Sequence, residues 1–325
     1  MRQLVRRAQN PIPMAWRSSP IWRFLSACRA KWVVNWHGFK FRCALLARTA
    51  RLLLLTAGLP LKRQFLTLRC MEGSEATGLF SEFAVVLGSL EHYERWLPRY
   101  AGLRVDFGAG GLYYEPAFGP NWWEYHFEPI AIGSDEGAIS STIGPLLYNR
   151  FADQGEQISR KRGFEIIDRW IRPKPHIHQK VDAYVIKNFG DCFVIGVHYR
   201  CTDKFEEAPR VPYEEICAAI QRVADSVADS RYKVFVATDE KAFLSYLLDF
   251  YPDRILFREM YRSADGRPID VVNEEGNHKK GEDAVIDCLL LSRCQYLVRT
   301  ASTLSLCSTL FNPDLPQVLL NRPYG

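Results

Sequence analysis

Charged side chains directly follow the most apolar predicted strand of this 325-residue chain. The run CFVIGVHY at 192–199 predicts a buried strand, and Arg200, Asp203 and Lys204 come after it. An arginine that leaves a buried strand can hold a pyrophosphate group with its fork of N–H donors. A structural ion pair between Arg200 and an aspartate of the same loop is the alternative.

Two other predicted strand ends carry polar residues of a similar kind. Asp239 follows the strand at 232–238, where it would either take part in chemistry or cap the next helix. Ser302 and Thr303 lie between a strand and a helix. The free N–H groups of a helix N-terminus suit a phosphate, and the two hydroxyls can add hydrogen bonds to it. Simple capping by these hydroxyls is the alternative.

A carboxylate lies inside a helix that is predicted to be apolar on almost every face. This helix, at 282–293, contains Asp287 among valine, isoleucine and leucine residues. A buried carboxylate is costly unless it is paired, so Asp287 needs a donor. The N–H edge of a guanine base would serve, and a buried arginine or histidine would serve equally well.

Alternating strands and helices from residue 73 onward predict an α/β protein that is long enough for two lobes. The second lobe is the more regular part, with predicted strands at 192–199, 232–238, 254–257, 296–299 and 317–320 and helices at 212–229, 240–250, 282–293 and from 302. This order predicts a doubly wound sheet, whose ligands bind at the carboxyl ends of the strands. In the first lobe we expect a helix within 77–96, a strand at 103–107, and mainly helix at 155–188 with a break at Pro173 and Pro175.

The N-terminal residues 1–71 form a basic arm with 14 Lys or Arg and no Asp or Glu. Tryptophans and leucines are mixed with these charges and predict helix, which fits a segment lying on an anionic membrane surface. A helical hairpin packed on the acidic body is the alternative, and a mitochondrial-type targeting segment has a similar composition. No stretch is long and uncharged enough for a membrane span. Nucleic-acid binding is not expected, because the body adds no basic surface.

The nine cysteines are scattered and include no C-x-x-C pair. An odd number of cysteines in a chain of this size indicates a reducing compartment. We therefore expect a cytoplasmic protein, or one peripheral to the cytoplasmic face of a membrane, rather than a Golgi protein.

The chain resembles the α1,6-fucosyltransferases and the related nodulation and protein O-fucosyltransferases over roughly residues 73–321. The resemblance is carried by Gly196-Val197-His198-Tyr199-Arg200-Cys201-Thr202-Asp203-Lys204, Ala237-Thr238-Asp239, Ile286-Asp287, Leu297-Val298-Arg299-Thr300-Ala301-Ser302-Thr303, the first-lobe element Trp123-Glu124-Tyr125-His126-Phe127-Glu128-Pro129, and Gly78. It implies a GT-B fold with two Rossmann-like lobes, at 72–188 and 189–325, and a nucleotide-sugar site in the C-terminal lobe.

The same resemblance implies an inverting, metal-independent transfer of L-fucose from GDP-fucose to a glycan or protein hydroxyl. Arg200, Ser302 and Thr303 would bind the β-phosphate, and His198 and Asp287 would contact the guanine. Asp239 matches an acid that the family needs for activity.

A glutamate after Lys204 would be the general base that takes the proton from the acceptor hydroxyl, with the nearby ammonium keeping it ionised. Glu207 is the preferred candidate and Glu206 the alternative. Cys201 departs from the family pattern, which has a second arginine there. No metal site is expected, because the chain has no D-x-D sequence and the pair His176 and His178 has no third ligand nearby.

Two other functions remain open. A GT-B enzyme using another GDP-sugar would share these residues, because groups that bind guanine and pyrophosphate do not determine which sugar is bound. A catalytically silent nucleotide-sugar binder or membrane-associated scaffold is the second alternative. For the acceptor, the segment 110–123 is rich in tyrosine and tryptophan, which suits sugar rings. Tyr113 and Trp122 are the residues we expect on such a surface, whereas core packing is the better interpretation for Trp123.

Overall fold

The computed structural model describes residues 63–70, 78–109, 111–143, 159–200, 208–227, 231–264 and 276–322. These residues form two sheets, as the predicted two-lobed α/β architecture requires. The first sheet uses residues between 64 and 143, and the second uses residues between 193 and 319.

The first sheet has four strands in the order β3-β2-β1-β4. Strand β1 (Gln64–Leu68) lies at its centre, parallel to β2 (Tyr100–Val105) on one side and to β4 (Ile139–Ile143) on the other. Strand β3 (Ala131–Gly133) adds an antiparallel edge. The predicted strand at 103–107 is therefore confirmed in type but begins three residues earlier.

The presence of β1 corrects the predicted extent of the basic arm. The prediction of 1–71 followed the charge pattern, since no acid occurs before Glu72. However, Phe65, Leu66 and Leu68 are buried, and β1 pairs on both sides within the first sheet. The body of the protein begins at Arg63, where the chain divides. Charge composition does not set secondary structure, whereas burial of apolar side chains between two neighbouring strands does.

The second sheet has five parallel strands in the order β7-β6-β5-β8-β9. They are β5 (Phe193–Tyr199), β6 (Tyr232–Thr238), β7 (Ile255–Leu256), β8 (Tyr296–Arg299) and β9 (Gln317–Leu319). Val197 lies between Val236 of β6 and Val298 of β8. Because β5 is central and buried on both faces, its continuous apolar sequence is explained. The predicted doubly wound sheet is confirmed.

Helices cover the sheets in the predicted order. They are α1 (Leu79–Arg95), the single turn α2 (Trp123–His126), α3 (Arg160–Trp170), α4 (Pro175–Tyr184), α5 (Tyr213–Ser226), α6 (Lys241–Phe250), α7 (Asn277–Ser292) and α8 (Thr303–Phe311). The predicted break before Pro175 is confirmed between α3 and α4. Helix α7 begins five residues earlier than predicted, after Gly276, whose φ of 89° is accessible mainly to glycine.

The largest apolar core joins the two sheets. It contains residues of β1, β2 and α1 together with residues of α7 and α8. Helix α8 packs against α1 and α3, so the last helix of the second lobe closes onto the first lobe. A smaller core lies on the other face of the second sheet, between that sheet and α5 and α6. Within the described residues, no helix is both long and apolar enough to cross a bilayer.

Candidate functional site

Hydrogen bonds join the carboxyl ends of β5 and β8 at the point where the predicted site residues begin. The Thr300 N–H donates to the His198 carbonyl at 3.0 Å, and the Arg200 N–H donates to the Thr300 hydroxyl at 3.2 Å. These bonds extend the parallel pairing of the strands by one step. They hold His198 and Arg200 at the sheet edge where ligands bind in doubly wound proteins.

Arg200 and Asp239 come together at this edge. Arg200 Nε lies 3.8 Å from Asp239 Oδ2, and both side chains are largely buried. Arg200 therefore pairs with an aspartate of the next strand end, whereas the alternative of a pair within its own loop concerns Asp203, which lies outside the described residues. Asp239 does not cap α6, because Glu240 occupies the N-cap position. A guanidinium at the end of a buried strand can form a bidentate pair of hydrogen bonds with an anionic group.

His198 is a neutral, buried imidazole beside these charges. It is 4% exposed, and its pKa is lowered to about 3 by burial and by the neighbouring Arg200 and Arg299. Its Nδ1 has no hydrogen-bond partner among the described residues. A neutral imidazole offers one donor and one acceptor, which suits the polar edge of a heterocyclic base.

The start of α8 supplies N–H groups at the same edge. Ser302 is its N-cap residue, but its hydroxyl makes no capping bond, so the simple capping interpretation is not realised. The Ala301 N–H donates to Asn321 Oδ1 at 2.7 Å, and Asn321 Nδ2 donates to the Pro209 carbonyl. Sequence reasoning missed Asn321, although a polar residue directly after the last predicted strand was the available signal.

Asp287 has a protein partner, which the sequence left open between a base and a buried side chain. Arg258 Nη1 donates to Asp287 Oδ1 at 3.0 Å, and Arg258 also forms an ion pair with Asp283. Burial raises the pKa of Asp287 and Arg258 opposes that rise. Arg258 was missed because it lies 29 positions away in sequence. Its place just after β7 was the only signal.

The loop after β7 runs along the site edge. The Ser263 N–H donates to the Asp239 carbonyl at 2.8 Å, and the Lys241 N–H donates back to the Ser263 carbonyl. Arg262 in this loop donates to the Arg258 carbonyl at 2.8 Å, and burial lowers its pKa. The loop thus carries two guanidinium groups to the side of α7 that bears Asp287.

The predicted base lies outside the described residues. Lys204, Glu206, Glu207 and Cys201 all fall within 201–207, which the structure does not describe. Their roles therefore stay predictions. The described site contains His198, Arg200, Asp239, Asp287 with Arg258, and the start of α8 at Ser302 and Thr303.

The proposed acceptor surface is wrong for its two named residues. Tyr113 and Trp122 are each 2% exposed and pack in the large core, as Trp123 does. The aromatic richness of this segment reflects burial in that core, where Trp122 and Trp123 both pack against Phe107, rather than a sugar-binding face. Phe118 is the exception, since it is 52% exposed and stacks on His278 with ring centroids 3.8 Å apart.

No candidate metal site is found in the part of the chain that the structure describes, which contains no suitable group of three or more His, Cys, Asp or Glu residues. His176 and His178 lie half-buried on α4. His176 Nε2 lies 3.8 Å from a carboxylate oxygen of Glu282, which Lys180 already holds.

No protein-family profile matches the chain, but a curated protein is similar to it in sequence. Nodulation protein Z of Bradyrhizobium diazoefficiens is 24% identical over 169 residues, which cover 48% of this chain and 45% of that protein. The match thus spans less than half the length of the curated relative.

The fold is similar to solved structures of NodZ α-1,6-fucosyltransferase. One crystal, soaked with GDP-fucose, matches with a TM-score of 0.52 and 21% identity over 78% of this chain and 94% of that one. Another, co-crystallised with GDP, matches with a TM-score of 0.53 and 20% identity over 79% and 94%. The protein therefore has the GT-B fold of the NodZ fucosyltransferases, with two Rossmann-like lobes and a candidate site at the carboxyl edge of the second sheet.

Proposed function

We propose that this protein is a fucosyltransferase that moves L-fucose from GDP-fucose to a hydroxyl group of a glycan or a protein. The observation that carries the proposal is the convergence of His198, the Arg200–Asp239 pair and the start of α8 at one sheet edge. The solved relatives of the same fold were soaked or co-crystallised with GDP-fucose and GDP.

Donor binding follows from the charges at that edge. Asp239 holds Arg200 at this edge through Nε, and the Arg200 guanidinium binds the diphosphate of the donor. The N–H groups of the first turn of α8 and the hydroxyls of Ser302 and Thr303 bind the same anion, aided by the helix dipole. His198 is neutral and contacts the guanine without repelling Arg200.

Transfer is proposed as a single inverting displacement without a metal ion. The acceptor oxygen forms a bond to the anomeric carbon of fucose while the bond from that carbon to the β-phosphate oxygen breaks, and GDP leaves. Glu207 takes the acceptor proton, and Lys204 keeps Glu207 ionised before the reaction. Arg200 and the α8 N-terminus stabilise the charge that develops on the leaving phosphate.

Phe118 is proposed as part of the acceptor-side surface. Its exposed ring stacks on His278 of α7 and offers an apolar face to a sugar ring. Phe118→Ala is expected to raise the KM for the acceptor several-fold and leave GDP affinity unchanged. An unchanged KM would remove Phe118 from the acceptor site.

Residues 1–62 are proposed to bind an anionic membrane at its cytoplasmic face, through their basic and aromatic side chains. Binding of the full chain to vesicles containing phosphatidylserine, but not to vesicles of phosphatidylcholine, would support it, and equal binding to both would refute it.

Calorimetric titration of the full-length protein tests the donor. GDP, GDP-fucose, GDP-mannose and UDP are compared in EDTA, with Arg200→Ala as the variant and Arg293→Ala as the control. Arg293 forms an exposed ion pair with Asp182. We expect GDP but not UDP to bind to wild type. Arg200→Ala should lower the affinity for GDP roughly 100-fold, and the control should bind GDP as wild type does.

The sugar comparison separates the alternatives. Tighter binding of GDP-fucose than of GDP-mannose, followed by GDP release on adding an acceptor, supports fucosyl transfer. Preference for GDP-mannose favours another GDP-sugar transferase. Donor binding without turnover on any acceptor favours the silent binder, and no nucleotide binding by the folded protein refutes the proposal.

A further inference from the structure

Arg258 is the central residue of a buried charge cluster on α7 that also contains Asp283, Asp287 and Lys279. Its Nη1 donates to Asp287 Oδ1 at 3.0 Å and to the Asp283 carbonyl at 3.1 Å. Its Nη2 and the Lys279 ammonium both bond the Asp283 carboxylate. The two aspartates lie one helical turn apart on the same face of α7. Arg258, in the loop after β7, therefore binds both aspartates.

The cluster is balanced in charge only while Arg258 is present. Lys279 contacts Asp283 alone, so Arg258 is the only cation bonded to Asp287 among the described residues. The other charged or titratable groups around Asp287 are Arg262 of the same loop, Asp283 and Cys288 of α7, and Tyr184 of α4. The Tyr184 hydroxyl donates to the Phe257 carbonyl. Removing Arg258 would leave the buried Asp287 carboxyl beside a second carboxylate.

The geometry leaves part of Asp287 available to a ligand. Arg258 donates to Oδ1, and no described residue donates to Oδ2. An ionised carboxylate has about four acceptor positions, of which one is filled. Guanine presents two adjacent donors, the ring N1–H and the 2-amino group, whereas adenine presents a ring acceptor in place of N1–H.

We propose that Arg258 is a positioning residue for base recognition, which holds Asp287 ionised and oriented so that Oδ2 accepts from the donor edge of guanine. This inference rests on the proposed function, since it concerns the GDP moiety of the same donor. Arg258 acts through Asp287 and does not itself touch the nucleotide. A purely structural role, in which Arg258 only tethers the loop 257–264 to α7, is the competing account.

The two accounts predict different effects of pH and of the nucleotide base on binding affinity. If Arg258 positions Asp287, its loss lets burial raise the pKa of Asp287 unopposed, and the protonated carboxyl turns one acceptor into a donor. GDP binding then weakens as the pH falls and recovers as it rises. A loop tether predicts an affinity loss that does not depend on pH or on the 2-amino group.

The experiment titrates full-length wild type, Arg258→Met and Asp287→Asn with GDP, IDP and ADP between pH 6 and 8. IDP lacks the 2-amino group. Lys279→Met is the matched control, because it removes a cation from Asp283 without touching Asp287. Thermal unfolding is measured for each variant. Where Arg258→Met does not fold, Arg258→Met/Asp283→Asn removes one of the two repelling carboxylates and takes its place.

Wild type and Lys279→Met are expected to bind GDP about 10-fold more tightly than IDP, at all pH values. In Arg258→Met we expect the affinity for GDP to fall roughly 10- to 100-fold at pH 6 and to recover in part at pH 8. The ratio of its GDP affinity to its IDP affinity should be near that of Asp287→Asn.

Three outcomes overturn the inference. A folded Arg258→Met protein that binds GDP like wild type refutes a role for Arg258 while the proposed function stands. A uniform, pH-independent loss with an unchanged GDP/IDP ratio establishes the tether instead. Wild type that binds no GDP refutes both the proposed function and this inference.

Discussion

Two histidines are buried in their neutral form, and this predicts a loss of stability in mild acid. The pKa of His126 and that of His198 are each lowered to about 3, first by burial and then by neighbouring cationic groups. His126 is fully buried on α2, and its ring faces Gly281 of α7. Neither of its ring nitrogens has a partner among the described residues.

The sign follows from the lowered pKa. Between pH 3 and the unfolded value of 6.5, the unfolded chain binds protons that the folded protein excludes. The free energy of unfolding therefore rises with pH through this window. The contribution of the two histidines is fully present above about pH 6.5 and is lost as the pH falls toward 3. At pH 5 each histidine lies about 1.5 pH units below its unfolded pKa, so each costs roughly 2 kcal/mol and the pair about 4 kcal/mol.

Urea denaturation of wild type and His126→Leu from pH 5 to 7.5 measures this effect. The loss of unfolding free energy between pH 7.5 and 5 is expected to be about 2 kcal/mol smaller in His126→Leu than in wild type, because the variant lacks one buried group that titrates. His178→Leu, the same change at a half-buried position of α4, serves as control. A flat wild-type profile, or the full loss retained in His126→Leu, would refute the assignment of a neutral buried His126.

Three further predictions concern contacts that hold the site elements in place. Gly281→Ala would place a Cβ 2.6 Å from His126 Nε2, so it should lower unfolding free energy by about 1–3 kcal/mol, and an unchanged urea midpoint would contradict this. Glu94→Gln removes the charge that accepts from two arginines and a tryptophan of α3; we expect a loss of about 1–3 kcal/mol, whereas wild-type stability would show that these bonds contribute nothing. Asn321→Ala frees the N–H group just before α8 and should weaken GDP binding several-fold with little change in melting temperature, and equal GDP affinity would separate Asn321 from the site.

Local pattern was sufficient for the strands of the second lobe. The strand at 232–238 and the strand at 296–299 have their predicted bounds, because their runs of β-branched and aromatic residues match what a doubly buried parallel strand needs. The location of the candidate site at one edge of the second sheet could be predicted from the order of the strands. Once β5 is central and its neighbours are parallel, the residues after each strand must share one edge.

Helix α7 shows where local pattern failed. Its first turns contain Asn277, His278 and Gly281, which are weak helix formers, so the sequence indicated a later start. In the structure this part packs against α2, and Gly281 gives room for the buried ring of His126. Packing between distant segments stabilises helix where intrinsic propensity does not.

The sequence by itself determined the α/β alternation, the polar residues at the strand ends and the need of Asp287 for a partner. Only the tertiary structure decided that this partner is Arg258, that Asp239 pairs with Arg200, and that Tyr113 and Trp122 are core residues. The reason is physical: strand and helix patterns arise from neighbours in sequence, whereas ion pairs and burial depend on side chains that the fold brings together from positions tens of residues apart.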